Sequence, residues 1–160
     1  LVPGAPANRH PSIADEAFTI DGMDWAAAPA VLPFDACAAS AGGPELPSIA
    51  LEEPARGRTI TIGWSDDDRE EYQVPSGDPP APVTVREALQ VNHFTTAGSI
   101  ERVVSAIDDM TAPGAPVELD LTLPPADEVP DEGLLVRVTT VVRDGRGGVD
   151  HAVRALCVVR

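Results

Sequence analysis

Val117-Glu118-Leu119-Asp120-Leu121-Thr122-Leu123 decides the reading of the fold, because apolar and polar side chains alternate through these seven residues without a fault. A period of two puts every second side chain on one face, the pattern of a half-buried antiparallel strand. The same period recurs downstream, where Leu134, Val136, Val138, Thr140 and Val142 share one face of a long strand. Asp144-Gly145-Arg146-Gly147-Gly148 then supplies a glycine-rich hairpin turn. Val149, His151, Val153, Ala155, Cys157 and Val159 are expected to line the inward face of its partner strand.

Upstream, Arg58 to Trp64 also alternates, with Ile60, Ile62 and Trp64 on one face. Asp66-Asp67-Asp68 reads as a turn, and Glu70 to Val74 as a return strand with Tyr72 and Val74 inward. Ser48 to Glu52 is a further short strand, and Pro75 to Pro82 a loop. Two helices are expected in between. Thr84-Val85-Arg86-Glu87 has the form of a capping box opening a short helix to about Asn92. A longer one starts at Ser99, its stripe formed by Ile100, Val103, Val104, Ile107 and Met110. Gly114 and two prolines stop it between Thr111 and Pro116. The predicted fold is α+β, an antiparallel sheet of about five to six strands with one long and one short helix on one face.

Residues 1–47 differ in composition. Seven prolines and many alanines disfavour long helices there. Phe18, Ile20, Met23, Trp25, Val31, Leu32 and Phe34 make the segment too apolar for a plain linker. It is read as an extended arm on a body comprising residues 48–160, with Phe18, Trp25 and Phe34 as its binding anchors.

Composition closes several chemistries. The 160 residues carry a formal charge of −15, and all 11 basic residues are arginine. Without lysine there is no Schiff-base amine and no P-loop. So acidic a chain does not suit a nucleic-acid backbone or an anionic membrane, since both demand cationic surface. No stretch reaches the ~20 apolar residues of a membrane span. The coding bias of a GC-rich prokaryotic or viral genome accounts for arginine without lysine. The chain opens at Leu1, as expected of a processed product or a fragment. Cys37 and Cys157 match no metal-ligand spacing. A disulfide between them would close a long loop and indicate an oxidising compartment, but Cys157 on an apolar strand is read as a buried free thiol.

The acidic groups Asp66-Asp67-Asp68 and Asp127-Glu128/Asp131-Glu132 offer hard oxygen ligands but lack EF-hand spacing, and are read as solvated turns. No metal or cofactor is expected. Of the histidines, His10 is read as a surface residue and His151 as a core residue. His93 lies in Asn92-His93-Phe94-Thr95-Thr96-Ala97-Gly98, ahead of the longer expected helix that carries Asp108.

A histidine before a helix, a carboxylate on it and a following run of long strands resemble the hotdog fold of acyl-thioester dehydratases and thioesterases. That resemblance covers at most the last 80 residues. It implies His93 as base, Asp108 as its partner or water-activating acid, and the Gly98 amide as oxyanion donor. Two readings of function follow. The first is a non-enzymatic interaction or assembly protein, docking on a protein partner or sister subunit through the arm. The alternative is a hotdog-like enzyme acting on an acyl thioester or similar small hydrophobic substrate with His93 and Asp108.

Overall fold

The computed structural model describes residues 8–33, 35–38, 46–51 and 56–160. Among them the chain order is β1 (Phe18–Ile20), β2 (Met23–Asp24), β3 (Ser48–Ala50), β4 (Gly57–Ile62), β5 (Glu71–Ser76) and β6 (Ala81–Arg86). There follow β7 (Leu89–Thr95), β8 (Ser99–Ile100), β9 (Val104–Ile107), β10 (Val117–Thr122), β11 (Leu134–Arg143) and β12 (Val149–Val159). The only helical pieces among the described residues are three single 3₁₀ turns, at Asp15–Ala17, Asp66–Asp68 and Ala126–Glu128. The fold is therefore β, and both expected helices are replaced by strands. Thr84 and Glu87 do not form a capping box, because Thr84 pairs with Gln73 in the β5–β6 hairpin. Ile100, Val103, Val104 and Ile107 carry helical spacing, but all four are β-branched, and such side chains fit a pleated surface better than a helix.

Two five-stranded sheets, β2-β1-β4-β10-β8 and β3-β12-β11-β7-β9, enclose one hydrophobic core. Ile60, Ile62, Leu119 and Leu121 enter it from the first sheet, and Leu89, Val91, Val136, Val138, Leu156 and Val158 from the second. The order β1-β4-β10-β8 opposite β12-β11-β7 follows the Greek-key arrangement of immunoglobulin-type sandwiches. One departure is that β8, beside β10, comes before β9, beside β7, so the chain crosses between sheets twice within a dozen residues. The expected hairpin of residues 58–64 with 70–74 does not form. β4 pairs instead with β1 and β10, and β5 with β6.

The arm's first described part is built into this core. Phe18, Ile20 and Trp25 are buried, and β1 pairs with β4 from Phe18↔Ile62 to Ile20↔Ile60. Trp25 joins the two sheets: its backbone N–H donates to Phe18 O (2.9 Å) and its Nε1–H to Ala155 O on β12 (2.9 Å). The arm meets β12 again at two points, where Ala28 N–H donates to Val153 O (2.9 Å) and where Cys37 bonds to Cys157. The two cysteines form a disulfide with Cα atoms 5.4 Å apart, so the free-thiol reading of Cys157 is corrected.

Candidate functional site

On β12 the inward residues are Ala152, Arg154, Leu156 and Val158. This is the opposite face from the one the alternation suggested, and His151 is exposed rather than a core residue. Ala155 and Cys157 are buried as well, beneath the arm, so both faces of the strand are covered there. An apolar residue at nearly every position then hides which face is inside.

His93 lies on β7 and points into the core. Its Nδ1 lies 3.3 Å from Thr140 Oγ1 on the neighbouring strand, while Nε2 has no hydrogen-bond partner. Burial lowers its pKa to about 4, so the ring is neutral near pH 7. Asp108 follows β9 at a position beyond the Leu89↔Ile107 pair. Five residues of strand separate that level from His93, on the order of 16 Å. The Asp108 carboxylate instead closes a local turn, its Oδ1 accepting from Met110 N–H (2.8 Å) and Thr111 Oγ1 (3.4 Å). Gly98, at a φ of +71° ahead of β8, backs onto the Thr122 carbonyl. The three groups of the hotdog reading do not meet, and the long helix that fold requires is not present among the described residues.

Of the expected anchors, Phe18 and Trp25 are each 1% exposed, inside the chain's own core, and Phe34 lies outside the described residues. Phe18 also stacks beneath the Arg154 guanidinium, 4.1 Å from ring centroid to Cζ. Arg154 is buried, and its Nη2 donates to Asp15 O (2.6 Å), tying the arm to β12. Burial lowers the guanidinium's pKa, and the Asp15 carboxylate opposes that shift.

A second polar group was not read as a unit in the sequence. Glu70, Glu87 and Asp144 are buried around Arg146, whose Nη1 lies 3.0 Å from Glu70 Oε2 and 3.7 Å from Glu87 Oε1. Burial, then the nearby Asp144 charge, pushes the Glu87 carboxyl above its usual range, and Arg146 only partly opposes this. Burial would also raise Asp144, but hydrogen bonds from Asn8 and from the Arg146 and Gly148 N–H groups hold it below its usual range. The legible signal was the turn itself, since an aspartate opening a glycine-rich hairpin bonds the backbone two residues on. Arg69 is buried too, donating to Glu87 O (2.6 Å), Asp108 O (3.2 Å) and Asp109 Oδ1 (2.7 Å). Among the described residues no three His, Cys, Asp or Glu side chains are arranged to hold a metal ion.

Two surface features remain. An open groove of ≈ 670 Å³ runs between the arm residues Ala27 to Leu32 and the outer side of β11 and β12, with Arg137 and His151 in its wall. On the far side of the same sheet, Phe94, Val103, Val104 and Met110 are exposed on and around the edge strand β9. No protein-family model, curated protein or solved structure matches the chain.

Proposed function

We propose that this chain is a non-enzymatic interaction or assembly module, working where thiols are oxidised and engaging a protein partner or a second copy of itself. The observation that carries the reading is how side chains are distributed over the sandwich. The reactive candidate His93 is sealed in the core away from Asp108, whereas large apolar side chains stand in water beside β9. Exposed apolar patches of this kind mark contact surfaces. The arm contributes to docking through its outward residues from Ala26 to Pro33, with Val31 exposed, since Phe18 and Trp25 are occupied inside. The Cys37–Cys157 disulfide supports an oxidising compartment, where such bonds persist.

Association is the test. Light scattering on the native chain, alone and mixed with proteins of its compartment, is compared with the surface double variant Phe94→Ser/Val104→Ser. Association that the variant abolishes is expected. A chain that stays monomeric in every mixture, or a variant that associates equally, counts against the reading. Thiol titration of protein isolated without reductant should find none free, and two titratable thiols remove the assigned compartment.

A further inference from the structure

We infer that the outer edge of β12 is a binding site for an extended acidic peptide, which adds as a strand beside Val149 to Val153 in the groove walled by the arm. The inference rests on the interaction reading above and names the partner's chemistry. The four consecutive residues His151 to Arg154 all line that groove, although along β12 they alternate between the outer face and the core. Its floor is therefore the edge of the strand rather than either face. The backbone groups turned towards that edge belong to the odd-numbered residues, since Cys157 N–H donates to Pro47 O (2.8 Å) and Val159 O accepts from Leu51 N–H (2.7 Å). The arm already uses this row: Ala155 O accepts from Trp25 Nε1–H and Val153 O from Ala28 N–H, both at 2.9 Å. Pro29 has no N–H with which to carry the row on. The arm turns away to the outer face, where Arg137 Nη2 donates to Leu32 O (3.3 Å). At the hairpin end of the strand, His151 N–H and C=O are left without a backbone partner on this side among the described residues.

Charge selects the occupant. The outward positions of β7, β11 and β12 carry no carboxylate, although the chain has 26. They carry Arg137, Arg143 and His151, whereas the outward positions of β10 on the opposite sheet carry Glu118 and Asp120. Register sets Arg143 opposite Val149 and Arg137 opposite Ala155, so an arginine stands at each end of the stretch with His151 between them. Neither arginine has an ion pair among the described residues, in a chain with an excess of acid. Asp15 is the only carboxylate in the groove wall, and Arg154 Nη2 lies 3.4 Å from its Oδ1. An extended segment with carboxylates at every second residue meets these cations along one side while its backbone meets His151. Alternating donors and acceptors on the strand edge match a peptide backbone. A phosphate backbone offers acceptors only and would leave the His151 carbonyl unmet.

Fluorescence anisotropy on the full, oxidised chain tests this with a labelled peptide alternating valine and glutamate, in ~0.15 M salt to screen the rest of the molecule's charge. Saturable binding is expected, and the same peptide with glutamine for glutamate should bind at least about tenfold more weakly. Arg137→Glu should weaken the glutamate peptide by a similar factor. His151→Glu, at an exposed position, should do the same and decides the matter should Arg137→Glu fail to fold. N-methylation of one alternate set of peptide amides should abolish binding while methylation of the other set is tolerated, because only one set faces β12. A glutamate peptide that does not bind, a glutamine peptide that binds equally, or two methylated peptides that bind alike overturns the inference. Displacement of the probe by an oligothymidylate as readily as by unlabelled peptide overturns it too. A chain that binds no peptide but still associates through Phe94 and Val104 in the mixing experiment overturns this site alone and leaves the interaction reading standing.

Discussion

Burying His93 beside Thr140 makes the fold sensitive to mild acid. Its folded pKa is about 4, against about 6.5 when unfolded, so between these values the unfolded chain binds the extra proton. Stability from the neutral ring is intact above pH 6.5 and is lost as pH falls towards 4, by on the order of 3 kcal/mol. His93→Leu with Thr140→Val should flatten this dependence, as thermal melts at pH 7 and pH 5 would register. Glu87 has the opposite sign. Its raised carboxyl costs stability as pH rises above the unfolded value of 4.5. Glu87→Gln should therefore melt higher than wild type at pH 7 and lose that advantage below pH 4. Neither environment was visible in the sequence. The sequence marks His93 for its chemistry, but only strand pairing across 47 positions reveals that its neighbour is Thr140.

Strands whose two faces meet different surroundings were the legible ones. On β10, Val117, Leu119 and Leu121 are inward and Glu118, Asp120 and Thr122 outward, as their alternation says. On β11, Val136, Val138, Thr140 and Val142 are likewise buried. β12 misleads because the arm covers its second face, so period two loses its contrast. The segment from Ser99 to Ile107 misleads differently: it changes sheets at the Arg102–Val103 bend, and two short strands in succession imitate a helical stripe. The crossing into β8 depends on Gly98, where a Cβ would strike the Thr122 carbonyl and φ is +71°. Gly98→Ala is expected to cost at least about 2 kcal/mol, read from urea denaturation midpoints.

At the level of the molecule, arm and body share one core, which a change in composition near residue 47 could not disclose. Trp25 touches Phe18 O and Ala155 O, groups 137 positions apart in sequence, and no local pattern anticipates that. Trp25→Ala should cost about 3–5 kcal/mol by cavity and lost hydrogen bonding, far more than an exposed arm residue such as Val31→Ala. Chemical denaturation of the two variants side by side checks the contrast. Cys37→Ala with Cys157→Ala, compared with wild type under the same conditions, should lower stability by up to about 5 kcal/mol, given the 120-residue separation of the pair.

That bridge also sets how the chain bears tension. Thirty-six residues precede Cys37 and three follow Cys157, while everything between is looped behind a covalent bond. Pulled from outside the bridge, the oxidised chain cannot pay out the stretch between its cysteines, 120 positions apart and roughly 400 Å at full extension. The reduced chain would release that stretch as well. Under such load β1 and Trp25 would be stripped from the core, while β3 to β11 stay enclosed in the covalent loop.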